Sequence, residues 1–287
     1  MKTDRPRRRL RRGLLALAVL AALALFGYWQ CWGVTATETE VTLAALPAGF
    51  DGLRIAHLSD LHGHEYGHHS SRLVGMVAEM KPDLIVITGD LVDRKSQLDT
   101  VAALIKQLTK TAPVYYVTGN HEWAAGCGPE AKALLKNCGA TVLDNRFVSL
   151  ERGGDTIVLA GVDDPNGYAG QKTPEALYAE IQAAHPGAFT ILLAHRNTLF
   201  GQYAAAGYDL VLSGHAHGGI VRLPFTDGLI GTDRRLFPTW TSGVYREGES
   251  TLFVSRGLGN NTTPLPGFRL FNRPELAGLT LVRGSFF

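Results

Sequence analysis

The run Asp83 to Asp90, DLIVITGD, constrains the fold of this chain more than any other segment. Its four consecutive large aliphatic residues, Leu84 to Ile87, show no polar alternation, which suits a strand covered on both faces by other layers. The same design recurs in LRIAHLS (Leu53 to Ser59), PVYYVTGN (Pro113 to Asn120), TILLAH (Thr190 to His195) and YDLVLSGH (Tyr208 to His215). The spacing of apolar residues predicts a helix over Gln97 to Thr109. FVSLERGGDTIVLAGV reads as two strands turned at Gly153-Gly154, a hairpin signal. A short edge strand is expected at Thr39 to Leu43, and residues 222–268, rich in glycine and holding Pro224, Pro238, Pro264 and Pro266, read as loops. The expected fold class is α/β: a two-sheet β-sandwich flanked by helices.

A second feature precedes that body. No charged residue occurs from Gly13 through Thr37, and Leu14 to Val34 is apolar enough and long enough to form a transmembrane helix, which takes roughly 20 residues. Tyr28, Trp29 and Trp32 at its far end suit an interfacial aromatic belt. A cleavable export signal has a similar basic start and apolar centre, and Arg11-Arg12-Gly13-Leu14-Leu15 loosely follows a twin-arginine pattern. The length of the stretch and the weak small-residue site at Val34-Thr35-Ala36 favour an uncleaved anchor. The expected organisation is a basic cytoplasmic segment (1–13), the anchor or uncleaved signal (14–34), a lead-in (35–52) and one α/β domain (53–287). Basic residues flanking a span stay in the cytoplasm, which places the body on the extracytoplasmic, periplasmic side.

Charge supports that division. Residues 1–12 hold seven basic residues and one acid, so of the formal +2 the remaining chain carries −4. A mildly acidic body is a poor footprint for a nucleic acid polymer. Hydrophobic residues at 45% and charged residues at 19% fit a globular protein rather than a disordered one. Cys31 falls in the span, and pairing of Cys127 with Cys138 stays open on sequence alone.

The five strand-like runs end in residues able to bind metal: Asp60 and His62, Asp90 and Asp93, Asn120 with His121 and Glu122, His195, then His215 and His217. Sites in α/β sheets form beyond the carboxyl ends of strands, where loops converge. Glycine precedes three of these groups, at Gly89, Gly119 and Gly214, where it permits a sharp turn. A lone His after a strand is usually an ordinary turn residue; five such groups in register with five strand ends are not. Imidazole with carboxylate and amide oxygens suits manganese, iron or zinc without choosing among them.

These motifs, D-x-H, G-D-x-x-D, G-N-H-[DE], a lone His and G-H-x-H in that order, resemble the calcineurin-like metallophosphoesterase superfamily over about residues 53–221. Gly161 to Pro165 and Arg269 to Glu275 resemble its small bacterial membrane-associated phosphodiesterase branch. The resemblance implies that Asp60, His62 and His217 bind one divalent ion, that Asn120, His195 and His215 bind a second, and that Asp90 bridges them. It also implies that His121 protonates the leaving group or stabilises the transition state, with Asp93 hydrogen-bonding its imidazole. Asp93 also reads as a helix N-cap, and the two roles can hold together. His57 reads as a core residue, and His64, His68 and His69 as a solvated loop. Arg196 and Arg94 suit either a phosphate contact or a surface charge.

The function expected is two-metal hydrolysis of a phosphoester by metal-bridged hydroxide attack, in a phosphodiesterase or pyrophosphatase acting on a membrane-associated substrate such as a lipid-linked one. Some relatives in the branch resemble UDP-diacylglucosamine pyrophosphatases, but no residue here selects that substrate. The alternatives are a non-catalytic metal-binding scaffold, which should lack several of these residues, and a nucleotide-directed phosphatase. Phe225, Leu229, Phe237 and Trp240 suggest an apolar rim for lipid.

Overall fold

The computed structural model describes residues 5–223, 226–232, 234–259 and 267–285. In chain order the elements begin with α1 (Arg5–Trp32), β1 (Thr35–Leu43), β2 (Arg54–Leu58), α2 (Ser71–Glu79), β3 (Leu84–Thr88), α3 (Leu98–Leu108) and β4 (Val114–Val117). They continue with α4 (Asn120–Ala124), α5 (Gly128–Asn137), β5 (Thr141–Val142), β6 (Arg146–Arg152), β7 (Asp155–Gly161), α6 (Pro174–Ala184), β8 (Thr190–Arg196) and α7 (Phe200–Ala206). Last come β9 (Leu210–Gly214), β10 (Val221–Arg222), β11 (Gly228–Ile230), β12 (Gly243–Glu247), β13 (Ser250–Val254) and β14 (Glu275–Arg283).

Two six-stranded sheets pack face to face, ordered β1-β14-β2-β3-β4-β5 and β12-β13-β9-β8-β7-β6. The period of two explains how the aliphatic runs build four layers. Along β3, Leu84 and Val86 point between the sheets while Ile85 and Ile87 meet the helices outside. Along β8, Ile191 and Leu193 face inward, and Leu192 and Ala194 face α6 and α7. Each such side chain, once buried, contributes about 1.5–3 kcal/mol. Helix α3 buries Leu98, Val101, Leu104, Ile105 and Leu108, one stripe at helical spacing, against the first sheet. This is the α/β sandwich with outer helices that the sequence pattern predicts. Gly153 and Gly154 both take positive φ (61° and 87°) between antiparallel β6 and β7, the geometry of a tight hairpin.

Three departures have physical causes. Strand β1 starts at Thr35, earlier than expected, and pairs in parallel with β14 over nine residues. Its first half alternates threonine with exposed glutamate and so carries no apolar signal; Glu38 and Glu40 guard a sheet edge. Residues 222–268 are not all loop, because β12 and the fully buried β13 extend the second sheet there. Pro224, Phe225, Pro264 and Pro266 lie outside the described residues. Cys127 and Cys138 are both free and buried. They flank opposite ends of α5, which at 1.5 Å per residue separates them by about 16 Å, beyond disulfide reach.

Helix α1 projects from the sandwich and meets it only near its carboxyl end. Arg8–Trp32 is long and apolar enough to cross a membrane, and its side chains are exposed along most of its length.

His57 on β2 lies inside the sandwich, its Nε2 2.8 Å from Thr88 Oγ1. Burial holds its pKa down to about 4 from an ordinary 6.5. The folded state therefore binds fewer protons than the unfolded chain, and stability is lost as pH falls from 6.5 towards 4. Chemical denaturation of metal-free protein across that window should show His57→Gln losing up to about 3 kcal/mol less than the wild type; equal losses would mean that His57 is not the responsible group.

Candidate metal centre

The carboxyl ends of β2, β3, β4, β8 and β9 meet at one end of the sandwich. Asp60 and His62 follow β2, Asp90 and Asp93 follow β3, Asn120 and His121 open α4 after β4, His195 lies near the end of β8, and His215 and His217 follow β9. All nine predicted residues converge there.

Two sets of atoms share Asp90. Asp60, His62, Asp90 and His217 each offer an atom within 4.8 Å of the others, as do Asp90, His195 and His215. In the first set His62 Nε2 lies 3.3 Å from His217 Nε2 and 3.9 Å from Asp90 Oδ2, and His217 Nε2 lies 3.6 Å from Asp60 Oδ1. In the second, His195 Nε2 lies 3.2 Å from Asp90 Oδ2, 3.2 Å from His215 Nδ1 and 3.1 Å from Asn120 Oδ1.

The far sides of the imidazoles fix what these atoms are. His195 Nδ1 is 2.7 Å from the Thr88 carbonyl oxygen and His217 Nδ1 is 3.2 Å from that of Gly259. A carbonyl only accepts, so each Nδ1 donates and each Nε2 presents a lone pair to the centre. His62 Nδ1 is held the same way by Asp93 Oδ1 at 2.7 Å. Lone pairs and carboxylates thus crowd two points at the end of the sheets. A proton serves two acceptors; these sets hold three or four. Such donor sets fit divalent ions.

The electrostatics show the same demand for positive charge at the centre. Burial disfavours a charged His195, yet the Asp90 carboxylate reverses this and lifts its pKa to about 10, so that without an ion a proton takes the Nε2 lone pair in its place. His215 and His217 are each held down to about 3, by burial and then by neighbouring positive charge. Burial opposes ionisation of Asp90 too, but His195 keeps it well below the usual carboxylate range.

The backbone is bent for this arrangement. Asp60, His62, Asp90, His215 and His217 all take left-handed φ, between 48° and 67°, a conformation that costs a non-glycine residue about 1–3 kcal/mol. Of the three preceding glycines, only Gly89 needs positive φ (85°). Gly119 and Gly214 are required for space: a Cβ on Gly119 would stand 2.2 Å from Asp90 Oδ1, and one on Gly214 1.8 Å from Ser59 Oγ.

Asp93 Oδ1 also lies 2.8 Å from His121 Nδ1, so one carboxylate orients two imidazoles. The cap position of the short turn Lys95–Gln97 falls on Arg94, and the Asp93 carboxylate is engaged by the two imidazoles. His121 is partly exposed, with Nε2 3.9 Å from Asp90 Oδ2. Burial pushes its pKa down, but the bond to Asp93 prevails and raises it. Arg196 donates to both Asp164 oxygens, at 2.7 and 3.1 Å, so its charge is matched within the protein. Arg94 is exposed, as are His68 and His69. His64 is half-buried instead, its ring 4.8 Å from Trp32 of α1.

Sequence reasoning gave no role to three residues that hold the loops. Glu122, fully buried, accepts the backbone N–H groups of Asp90, Leu91, Val92 and Gly119. Arg269, also fully buried, donates to the carbonyls of Arg256, Gly257 and Gly259. Asn272 donates to the His217 carbonyl at 2.6 Å. The acid of the G-N-H-E motif was visible beforehand; nothing in the sequence pairs Arg269 or Asn272 with loops elsewhere in the chain.

A cavity of about 370 Å³ adjoins the centre beside His215, Thr232, Arg235, Phe237 and Trp240. Of the expected apolar rim, Phe237 is 74% exposed, whereas Trp240 turns inward onto Phe200 with ring centroids 5.5 Å apart.

Sandwich and donor sets together define a metallophosphoesterase. The chain matches the calcineurin-like phosphoesterase family over residues 53–219 and belongs to that family. It is 31% identical to the uncharacterized metallophosphoesterase YkuE of Bacillus subtilis over 278 residues, 94% of each chain. It is 32% identical to a transmembrane protein with metallophosphoesterase domain from Danio rerio, across 94% of this chain but only 63% of that one. Phosphodiesterase YaeI of Escherichia coli is 30% identical over 80% of this chain and 82% of its own length. The apolar α1 and relatives named as transmembrane point to a membrane protein.

Glu122→Gln should weaken divalent-metal binding about 10–100-fold, the range typical of groups that orient ligands, while far-UV circular dichroism stays unchanged. Unaltered affinity in a metal titration would show that the loops hold their shape without this carboxylate.

Proposed function

We propose that this protein is a two-metal hydrolase of phosphoester bonds, a phosphodiesterase or pyrophosphatase acting on a membrane-associated substrate. The observation that carries the reading is the pair of histidine and aspartate clusters joined at Asp90. Asp60, His62 and His217 would hold one ion, Asn120, His195 and His215 the other, and Asp90 both. Manganese, iron and zinc suit such mixed nitrogen and oxygen donors. Two divalent ions would supply a nucleophile from water at neutral pH and offset the charge of the phosphate.

The chain's own part is orientation and proton delivery. Thr88, Gly259 and Asp93 fix the three imidazoles, so the donor geometry exists before substrate arrives. Asp93 favours the protonated form of His121, whose Nε2 faces the centre from the open side and can give its proton to the departing alkoxide. His121 is then left neutral, still aligned by Asp93. The adjoining cavity takes the part of the substrate beyond the phosphate. The name of the Escherichia coli relative supports diester cleavage. The anchor would be residues 14–34, with the catalytic body extracytoplasmic because the basic residues precede the span.

Full-length protein in detergent should hydrolyse bis-p-nitrophenyl phosphate with added manganese. His121→Ala should keep both ions and lose about 100-fold or more in turnover of an alkyl phosphodiester. The loss should be smaller for the p-nitrophenyl ester, whose leaving group needs less protonation. Equal losses on both esters would remove His121 as the acid, and no turnover of any diester by protein holding two ions would favour the scaffold.

A further inference from the structure

Outside α1, the described residues include six exposed large hydrophobic side chains, and five of them, Leu223, Leu236, Phe237, Phe268 and Phe271, belong to one structural unit. That unit begins where residues 267–273 clasp the end of α1. The Phe271 ring lies 6.0 Å from that of Phe26, the Arg269 N–H donates to Cys31 Sγ at 3.4 Å, and Arg273 stacks on Trp29 at 4.1 Å while donating to the Gly33 and Val34 carbonyls. The clasp continues into the β10–β11 ribbon, since Leu270 bridges Val221. The ribbon in turn carries the next loop, through the Ile230–Leu236 bridge and a Phe237 N–H bond to the Leu229 carbonyl at 3.0 Å.

Depth along α1 decides what covers this unit. If Tyr28, Trp29 and Trp32 mark the membrane interface, Phe26 lies about 9 Å further into the bilayer than Trp32, by the rise of a helix. Phe271 touches Phe26, so it too lies below the belt, where there are acyl chains and headgroups rather than water. Arg273 sits about one turn higher at Trp29. An arginine at that level, above a phenylalanine, matches the order of phosphate and hydrocarbon in a lipid monolayer.

We propose that the clasp, the ribbon and the Leu236–Phe237 loop form a second membrane contact, a surface that rests in the same phospholipid leaflet α1 enters and carries the mouth of the metal centre onto the headgroup layer. The link to the centre is direct. Asn272 of the clasp holds the His217 carbonyl, and Phe237 lines the cavity beside His215. Five exposed apolar side chains gathered beside an anchor helix otherwise form an aggregation-prone patch in water. The proposal deepens the membrane reading above and depends on α1 being in the bilayer, but not on catalysis.

The test is photocrosslinking of the full-length chain in nanodiscs of phosphatidylcholine and phosphatidylglycerol. The benzophenone amino acid p-benzoylphenylalanine replaces one residue at a time: Leu20 within α1, Phe237 or Phe271 on the proposed surface, or Glu249 at the opposite end of the sandwich. Both phenylalanines are largely exposed and the replacement is aromatic, so folding is retained; bound metal per chain checks this. Lipid adducts, read by mass spectrometry, are expected at positions 20, 237 and 271 at about ten times or more the level at 249. Adducts at 20 with 237 and 271 no higher than 249 would overturn the surface and leave the anchor standing. Absence of adducts at 20 would overturn the anchor and the surface together.

Discussion

The site depends on one crowding of electron-pair donors around a carboxylate. Asp90 Oδ2 stands within 3.9 Å of imidazole nitrogens from three separate loops, those of His62, His121 and His195. Several of the surrounding nitrogens are lone-pair donors because their far sides are tied to acceptors. That arrangement is unfavourable without positive charge at its middle, and the fold is built to sustain it. Thr88 shows the economy: its carbonyl orients His195 while its hydroxyl meets His57 in the core. Glu122 binds four N–H groups across two loops, so the turn carrying Asp90 and the turn carrying Asn120 move as one.

Two sheets, rather than one, make the centre possible. Asp60, Asp90 and Asn120 come from strands of the first sheet, and His195, His215 and His217 from strands of the second. The inter-sheet core of Val86, Ile191, Leu193 and Leu212 holds those strand ends in register. Left-handed turns at five residues then swing the side chains inward. The strain of those turns is sustained by the rigid layers below, the usual relation between a stable sandwich and a demanding site.

Much of this was legible because ligand and strand are adjacent in sequence. Each donor lies at, or within a few residues of, the end of an aliphatic run, so a strand pattern and a list of residue types suffice to bring the nine residues to one end of the molecule. What was not legible depends on distance along the chain. Strand β14 inserts between β1 and β2 from the carboxyl end, and Asn272 just before it braces a loop formed 55 residues earlier. Asp93 had two sound local readings; the cap position of the short turn Lys95–Gln97 falls on Arg94 and leaves the carboxylate to the imidazoles. His64 looked solvated because nothing local shows that Trp32 folds back beside it.

The central claim is that Asp90 joins two ions in a single centre. Electron paramagnetic resonance of the full-length protein loaded with manganese, alongside a metal count, tests it most directly. Two ions per chain with an exchange-coupled spectrum, which Asp90→Asn converts to uncoupled or singly occupied sites, is the predicted result. One ion per chain at saturation, or two that show no magnetic coupling in the wild type, would contradict it.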